Sequence, residues 1–522
     1  MELLDYVQLG VLAVFQGPVA FTVLGVSVSI TICMIFSGFI CGILVGATPG
    51  LSGAFAMAVS LPILISVFGV NSDALLPVLA FLLGIMKGAT VGGAVPAILF
   101  NTPGTPDALL TTFDGYPMAQ KGQSGKALRI AHFSSASGDT FSDIILFTTA
   151  PFLAILVEAH LGFTEKAALI ILSLSFISAV VGKSVIKGLI SACLGLFIAS
   201  IGHGEDQYPR LTLGIIEISE GISMIAAILG VLVIGEIFIS LEQMYSVPSN
   251  AREIAKKRHK ASQSLNWNVL KRISPIVGIS ASIGTFIGAL PGIGTTLAAT
   301  VGYSVAKKLS HHPEKFGTGL PEGIAATEAA NSAVSGANLI PVLSLGIPGN
   351  IAAVFLILAT ESIAGFNPGP SVFNFNKSEV NTELVMCFGI FTIMVLGNII
   401  NWTVGGIFMR LSGILILIPK VYLLPCILLL TLTSIYVQET NMMSVYTAIV
   451  FGFIGYMLKK LEFSLLPFVI AFILSNNLET GIRQAFAASG GDPFFFFKSP
   501  ISLAFFALAA FVIYVFRSNS TK

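Results

Sequence analysis

The sequence predicts an all-α polytopic membrane protein made of two inverted-topology repeats with broken or re-entrant helices. Hydrophobic residues make up 55% of the 522 residues and charged residues only 10%, whereas soluble domains are about 25% charged. Residues 6–72 contain no Asp, Glu, Lys or Arg. Because a helix needs about 20 apolar residues to cross a bilayer, the chain is expected to form about 11–13 membrane segments.

Pro-Gly pairs recur in apolar surroundings at matching places in the two halves of the chain. Pro49-Gly50 and Pro291-Gly292 lie 242 residues apart, and Pro103-Gly104 and Pro348-Gly349 lie 245 residues apart. Proline lacks a backbone donor and glycine tolerates most φ/ψ values, so a helix is not expected to run through such a pair. The sequence therefore predicts two helix breaks in each of two related repeats.

The repeats are predicted to be residues 1–251 and 273–522, the second ending in additional C-terminal helices. Residues 252–272 between them hold seven Lys and Arg residues. Cytoplasmic loops of membrane proteins carry an excess of these residues, so this tract is expected to be a basic cytoplasmic linker.

The distribution of basic residues predicts that the repeats have opposite orientations. A predicted polar loop at 107–129, after the second break, carries Lys121, Lys126 and Arg129, whereas the loop after the first break, residues 66–73, has no Lys or Arg. In the second half the basic loop is the one after the first break, where Lys307, Lys308 and Lys315 lie. Such an exchange is expected of inverted repeats when Lys and Arg stay inside.

Several function classes are excluded by composition and motifs. A net charge of +1 gives no general attraction to nucleic acid. No HExxH, GxSxG, Walker A or GxGxxG motif occurs, so no enzyme is predicted. None of the five cysteines has CxxC spacing, and no resident metal site or cofactor is expected. Without an ATP site, transport requires an ion gradient or a partner.

The four breaks together predict a site for an anion and a coupling cation, Na⁺ or H⁺. Within hydrocarbon, irregular backbone is tolerated only where protein buries it or where it lines a wet cavity. Broken helices offer N–H groups to an anion and carbonyls to a hard cation. Predicted ligand residues in the first repeat are Thr48, Pro49, Gly50, Ser52, Asn101, Thr102, Pro103, Gly104 and Thr105. Those in the second are Pro291, Gly292, Gly294, Thr295, Thr296, Glu328, Asn331, Ser344, Gly346, Pro348, Gly349 and Asn350.

Each of these residues also has a structural alternative. The Ser, Thr and Asn side chains serve equally well as helix caps or interhelical hydrogen-bonding groups. Glu328 either takes part in proton or sodium coupling or lies at the cytoplasmic mouth and caps a helix near Asn331. Lys87 is a candidate partner for a substrate carboxylate, with snorkelling to an interface or an internal ion pair as the alternatives.

The chain resembles the large membrane subunit of the tripartite tricarboxylate transporters over nearly its whole length. The resemblance is most specific in FNTPGTPDALLTTFDGYPMAQKG (100–122), FGTGLPEGIAATEAANSAVSGANLIPVLSLGIPG (316–349) and FGFIGYMLKKL (451–461). The Pro-Gly motifs of the family fall on the four pairs above, and its Glu-Ala-Ala-Asn element falls on 328–331. The chain departs from the family pattern at Lys87, at 94–96 and at Ser332.

The resemblance implies a multi-pass protein of the bacterial inner membrane that imports an organic carboxylate, a tri- or dicarboxylate, together with Na⁺ or H⁺. It further implies two partners, a small membrane subunit and a periplasmic solute-binding protein that delivers the substrate. Membrane lipid is a further partner, and a homo-oligomer is left open. A passive channel and a non-transporting scaffold or sensor subunit are the alternative functions.

Overall fold

The computed structural model describes residues 3–23, 26–48, 51–182, 184–203, 208–212, 214–244, 265–365, 368–375, 380–415 and 420–520. The first half contains α1 Leu3–Phe15, α2 Ile30–Gly46, α3 Gly53–Phe68, α4 Ser72–Phe100, α5 Thr111–Met118, α6 Ser124–His160, α7 Phe163–Val180, α8 Val185–Ala199, α9 Met224–Leu229 and α10 Gly235–Met244. The second contains α11 Trp267–Gly288, α12 Thr295–Leu309, α13 Pro321–Ala337, α14 Leu339–Leu345, α15 Ile351–Ala364, α16 Thr382–Ile400, α17 Gly406–Leu415, α18 Lys420–Glu439, α19 Met442–Lys460, α20 Leu465–Ala488, α21 Phe495–Lys498 and α22 Pro500–Ser520.

The predicted class, an all-α polytopic membrane protein, is confirmed. Eight helical stretches of the described residues are long and apolar enough to cross a membrane, and six further apolar helices have 10–17 residues. The estimate of 11–13 segments, which included half-crossings, lies between the eight long helical stretches and the fourteen that both sets make together. In the described part of the chain, the strands form two short antiparallel pairs, β1 Val19–Val23 with β2 Val26–Ser29 and β3 Gly202–His203 with β4 Pro209–Arg210.

The chain divides into two compact units. Unit 1 comprises Met1–Ala154, Val247–Leu290 and Gly294–Lys420, and unit 2 comprises Ile155–Ser246, Pro291–Ile293 and Val421–Lys522. Both halves of the sequence therefore contribute to both units. Within unit 2, Arg210 forms a fork-shaped ion pair with Glu479 through two 3.1 Å hydrogen bonds.

A glycine-lined helix crossing occurs twice in unit 1. In the first half, glycines of α2 lie directly on the backbone of α4, and in the second half glycines of α11 lie on α13. The equivalent pairs are Gly42–Ile85 with Gly284–Ala330, and Gly46–Ala89 with Gly288–Val334. The glycines are related by an offset of 242 and their partners by 245, as the Pro-Gly pairs are. The same helix crossing therefore occurs in both halves, at positions related by the offsets of the Pro-Gly pairs.

The crossing in the second half gives a matched pair of glycine substitutions on α11. A Cβ at Gly284 collides with the Ala330 backbone, whereas one at Gly278 meets open space. We expect Gly284→Ala to lower the free energy of unfolding by about 1–3 kcal/mol, because overpacking forces the helices apart. Gly278→Ala should instead raise it by about 0.5–1 kcal/mol through its helix propensity. Unfolding of both variants in detergent measures this, and equal effects would contradict a close crossing.

The predicted polar loop at 107–129 was wrong. Residues Thr111–Met118 and Ser124–His160 are helical, and a wide π-type turn, Ala119–Gln123, joins them, with Gly122 at φ 77°. The Asp114 carboxylate in this stretch is buried instead of facing solvent, and it accepts hydrogen bonds from the loop that precedes α13. Polar composition alone suggested a loop because these internal partners are distant in sequence.

The predicted repeat boundaries stay a prediction, since most of the basic tract lies outside the described residues. Of residues 252–272, the structure describes only 265–272, where α11 begins at Trp267. Arg272 is ion-paired with Glu322 at the start of α13. The last part of the tract is therefore already helix and is attached to the second repeat.

Candidate functional site

Helix breaks occur at all three Pro-Gly pairs that the structure describes. Helix α4 ends at Phe100 before Pro103-Gly104, α11 ends at Gly288 before Pro291-Gly292, and α14 ends at Leu345 before Pro348-Gly349. Pro49 and Gly50 lie outside the described residues, between the end of α2 and the start of α3. The prediction of interrupted helices is thus confirmed at three positions.

The turns at Pro103-Gly104 and Pro348-Gly349 have the same local geometry. Asn101 is left-handed at φ 54°, ψ 29°, and Gly346, which is 245 residues later, is left-handed at φ 71°, ψ 20°. The next residue donates its N–H to a proline carbonyl in both cases: Thr102 to Pro96 at 3.3 Å and Ile347 to Pro341 at 3.2 Å. Left-handed backbone is strained for most L-residues but tolerated by Asn and Gly. In both halves, therefore, the helix before the second Pro-Gly pair ends in the same type of turn.

In the first half, the break at Pro103-Gly104 lies against the C-terminal end of α2. Gly104 donates its N–H to the Gly93 carbonyl at 3.3 Å. A Cβ at Gly104 would collide with the carbonyl oxygen of Gly46, the last residue of α2. Only glycine allows this approach, so the Gly104 position in the motif is explained by packing.

Asp107 links the turn of the first half to a helix of the second. Its Oδ1 accepts a 3.0 Å hydrogen bond from Thr296 Oγ1 in the first turn of α12. Helix α12 has Gly294 at its N-cap and no side-chain cap of its own. A carboxylate at this end satisfies free N–H groups and the positive end of the helix dipole. Asp107 was not among the residues predicted from the sequence to form the site.

Glu328 and Asn331 lie on the wholly buried helix α13. Glu328 Oε1 accepts a 2.5 Å hydrogen bond from Thr111 Oγ1, which also lies 3.0 Å from Thr327 Oγ1. Glu328 Oε2 and both amide atoms of Asn331 have no hydrogen-bond partner among the described residues. Since Glu328 lies in mid-helix, the alternative that it caps a helix near Asn331 was wrong.

Buried polar atoms without partners are uncommon in native structures, and each calls for an explanation such as a bound ion or water. Thr105 Oγ1, just after the first-half turn, is a further such atom. Thr105, Glu328 and Asn331 together offer hydroxyl, carboxylate and amide oxygens, the ligands that hard cations prefer. We call these three residues, with Thr111, the central polar cluster; Thr111 contacts Glu328, and Thr105 and Asn331 are grouped with them by their unpartnered buried atoms.

Other predicted residues perform local structural roles. Ser52 caps α3 by accepting from Phe55 N at 3.1 Å, and Asn350 caps α15 by accepting from Ala353 N at 2.8 Å. Three hydroxyls donate to carbonyls of the chain close to their own position: Thr48 to Leu44, Thr102 to Phe100, and Ser344 to Ile340. Capping and local bonding, the structural alternative, therefore account for these contacts, and ligand roles stay a prediction.

The other residues predicted as ligands differ in burial and surroundings. Pro348 and Gly349 are buried, and Gly349 lies close to Asn338. Pro291 and Gly292 group with unit 2, where Gly292, at φ 84°, packs on Ile177 of α7. Thr295 is half-buried and Asn101 is exposed.

Lys87 forms the internal ion pair that was one of its three alternatives. Its Nζ lies 2.9 Å from Asp139 Oδ1, 2.7 Å from Asp143 Oδ2 and 3.0 Å from Asn398 Oδ1. An ammonium has three N–H donors, so all of them are used. A substrate carboxylate could bind Lys87 only by displacing one of these partners. Neither aspartate was predicted as a partner of Lys87, although their i, i+4 spacing places them on one helix face.

Asp114 orients the start of α13. Its Oδ1 accepts hydrogen bonds from the backbone N–H groups of Gly317, Gly319 and Leu320 at 2.8–2.9 Å, and its Oδ2 accepts from the Tyr303 hydroxyl at 2.9 Å. The carboxylate thereby fixes the loop that leads into the helix carrying Glu328. Asp114 is a positioning residue that polar composition alone did not identify.

Comparison with known proteins places the chain among transporters. The sequence profile of the "Tripartite tricarboxylate transporter TctA family" matches residues 32–470. An "Uncharacterized 52.8 kDa protein in TAR-I ttuC' 3'region" of Agrobacterium vitis is 34% identical over 502 residues, covering 94% of this chain and 95% of that protein. An "Uncharacterized protein in TAR-II ttuC' 3'region" of the same organism is 33% identical over 229 residues, covering 43% of this chain and 90% of that protein. No solved structure matches.

Proposed function

The chain belongs to the tripartite tricarboxylate transporter TctA family, and we propose that it imports an organic carboxylate with Na⁺ or H⁺ as the coupling cation. As a member of that family it is a multi-pass membrane protein and a transporter subunit. We propose further that the substrate is a tri- or dicarboxylate and that the chain lies in the inner membrane. The observation that carries it is the central polar cluster, whose residues are buried and whose Thr105, Glu328 and Asn331 keep polar atoms without partners among the described residues.

The chemistry of the cluster suits a cation and an anion bound together. Glu328 supplies a negative charge with a free oxygen, and Asn331 and Thr105 supply neutral oxygens. A carboxylate substrate placed beside Glu328 alone would be repelled, whereas a cation between them attracts both. The amide of Asn101, an exposed neutral donor at the first of the two matched turns, suits a substrate carboxylate. This arrangement makes cation and substrate binding interdependent.

The name of the family implies partner subunits. We propose that these are a small membrane subunit and a periplasmic solute-binding protein that releases the carboxylate to this chain. A binding protein supplies affinity and specificity outside the membrane, so the membrane site can bind weakly enough to release its cargo inside. Which carboxylate is carried then depends on both proteins.

Accumulation in proteoliposomes tests the proposal. The full-length chain, with and without its partner subunits, is reconstituted, and radiolabelled citrate or succinate is added under an imposed Na⁺ or proton gradient. We expect internal carboxylate to exceed the external concentration and to depend on one of the two gradients. Uptake that stops at the external concentration would indicate a passive channel, and no uptake under any gradient would indicate a scaffold or sensor subunit.

Asn101 allows the side chain to be tested without disturbing the turn. Asn101→Gly keeps a residue that accepts the left-handed backbone, as Gly346 does at the equivalent position. We expect this variant to fold normally and to reduce citrate or succinate uptake about 10-fold, because a charge-assisted hydrogen bond is lost. Ser66→Ala, which removes an exposed hydroxyl bonded only to Ile63 O, serves as the control. Unchanged uptake in Asn101→Gly would show that the Asn101 amide does not bind the substrate.

A further inference from the structure

A buried charge cluster lies in unit 1 apart from the central polar cluster. It consists of Lys87 on α4, Asp139 and Asp143 on α6, and Asn398 on α16, and we call it the lysine cluster. The side chains of Lys87, Asp139 and Asp143 are 0%, 3% and 1% exposed. With two carboxylates against one ammonium, the cluster carries one negative charge in excess when all three groups are ionised.

We propose that the lysine cluster is a proton-binding site and that its proton is coupled to transport. This inference rests on the proposed function and adds a coupled proton to the cation that the central polar cluster would bind. An unpaired charge in the membrane interior costs several kcal/mol, so the cluster must recruit a positive charge. Two carboxylates that share one site cannot both stay ionised without such compensation, and one of them takes up a proton.

The hydrogen bonds place the exchangeable proton on Asp143. Asp143 Oδ2 accepts from Lys87 Nζ at 2.7 Å and from Asn398 Nδ2 at 2.8 Å, whereas Oδ1 has no partner among the described residues. Asp139 Oδ1 is occupied by Lys87 at 2.9 Å and by the Ser335 hydroxyl at 2.6 Å. A proton from water adds to Asp143 Oδ1 and later returns to water, and the charge of the cluster alternates between 0 and −1.

A proton fits the cluster better than a metal ion does. The Lys87 ammonium occupies the point between the two carboxylates and repels a second cation. Sodium needs several oxygen ligands around it, and Asp143 offers one free oxygen here. The backbone around that oxygen is also crowded, because a Cβ at Gly336 would collide with Asp143 Oδ1.

Helix α13 connects the lysine cluster to the central polar cluster. Ser335, bonded to Asp139, lies one helical turn from Asn331. Ser332 and Ser135 bond at 2.5 Å, and Gly138 packs directly on the Ala329 backbone, so α6 and α13 are closely joined between the two clusters. A change in charge at Asp143 therefore acts on the helix that holds Glu328 and Asn331.

The remaining titratable groups on these packed helices are accounted for by other contacts. On α13, Glu328 is bonded to Thr111, and on α6 His132 lies 2.9 Å from the Asn401 carbonyl. The only charged residue in Thr382–Ile400 is Glu383, near the start of α16, and α2 has none. Asp139, Asp143 and Lys87 are thus the ionisable groups that contact one another at this site.

Two measurements on the full-length chain in liposomes test the inference. In infrared difference spectra between about pH 5 and pH 9, we expect a protonated carboxylic C=O band that disappears in Asp143→Asn and persists in Glu158→Gln, whose side chain is 43% exposed. In transport, Asp143→Asn should lose citrate or succinate accumulation driven by a proton gradient by at least about 10-fold. Counterflow exchange, which needs no gradient, should persist, because the asparagine fixes the neutral state.

The outcomes separate the inference from the proposed function. Absence of the band in the unaltered chain, or its persistence in both Asp143→Asn and Asp139→Asn, overturns the proton site whatever transport does. Accumulation that follows only a Na⁺ gradient overturns the proton as coupling ion. If the unaltered chain accumulates nothing, the proposed function fails, while the band still reports the proton site. Asp139→Asn replaces Asp143→Asn as the test variant if the latter does not fold.

Discussion

Lys87→Met is expected to have the largest effect on stability of any single substitution considered. It leaves two buried carboxylates without their cation, since Lys87 Nζ bonds Asp139 at 2.9 Å and Asp143 at 2.7 Å. Removing one partner of a buried ion pair typically costs about 3–5 kcal/mol. We expect a loss of that size in the free energy of unfolding, measured by thermal or denaturant unfolding of the purified chain in detergent.

A double variant distinguishes charge from packing in that loss. Lys87→Met combined with Asp143→Asn leaves one unpaired carboxylate instead of two, so it should be more stable than Lys87→Met alone. Lys166→Met, which breaks the exposed pair with Glu158 (34% and 43% exposed), should cost less than about 1 kcal/mol. If the double variant were as unstable as the single one, the lost volume of the lysine side chain and not the charge would explain the effect.

Glu328→Gln is expected to have the largest effect on transport. Glutamine can still accept the Thr111 hydrogen bond through its carbonyl oxygen, so the fold should be retained. The substitution removes the negative charge and replaces the free oxygen Oε2 with an amide group. Because hydrogen bonds and ion contacts to charged groups are worth about 1.5–3 kcal/mol, we expect uptake to fall about 10- to 100-fold.

The comparison with Asp143→Asn identifies what Glu328 does. Glu328→Gln should impair both gradient-driven accumulation and counterflow exchange, because it alters the binding of cation and substrate. Asp143→Asn should impair only the first. Glu314→Gln, in which a 65% exposed carboxylate near His312 is neutralised, is the control. Normal counterflow in Glu328→Gln, with unchanged cation dependence, would exclude Glu328 from the site.

Much of the fold followed from short-range chemistry that a sequence displays. Pro-Gly pairs interrupt helices whatever surrounds them, and the structure has breaks at Pro103-Gly104, Pro291-Gly292 and Pro348-Gly349. The glycine crossings of Gly42 on Ile85 and Gly284 on Ala330 were not predicted, but they are related by the same offsets as the Pro-Gly pairs. Low charge content and long apolar segments were sufficient for the membrane assignment.

The site was predicted less completely, because its contacts join residues far apart in the chain. Asp114 was assigned to a solvated loop, yet its partners are backbone groups about 200 residues later, at 317–320. Lys87 had three alternatives because Asn398, which lies 311 residues away, could not be paired with it from sequence. Glu328 was singled out by its isolation in an apolar stretch, and its role as a ligand stays a prediction; its mid-helix position was not anticipated.

The left-handed residues at the two matched turns are chemically unequal. One turn carries the amide of Asn101, and its counterpart at Gly346 has no side chain at all. A symmetric dicarboxylate that touched both would meet a polar group at one end and bare main chain at the other. Its two identical carboxylates would therefore be held by different groups, although the two turns share one backbone geometry.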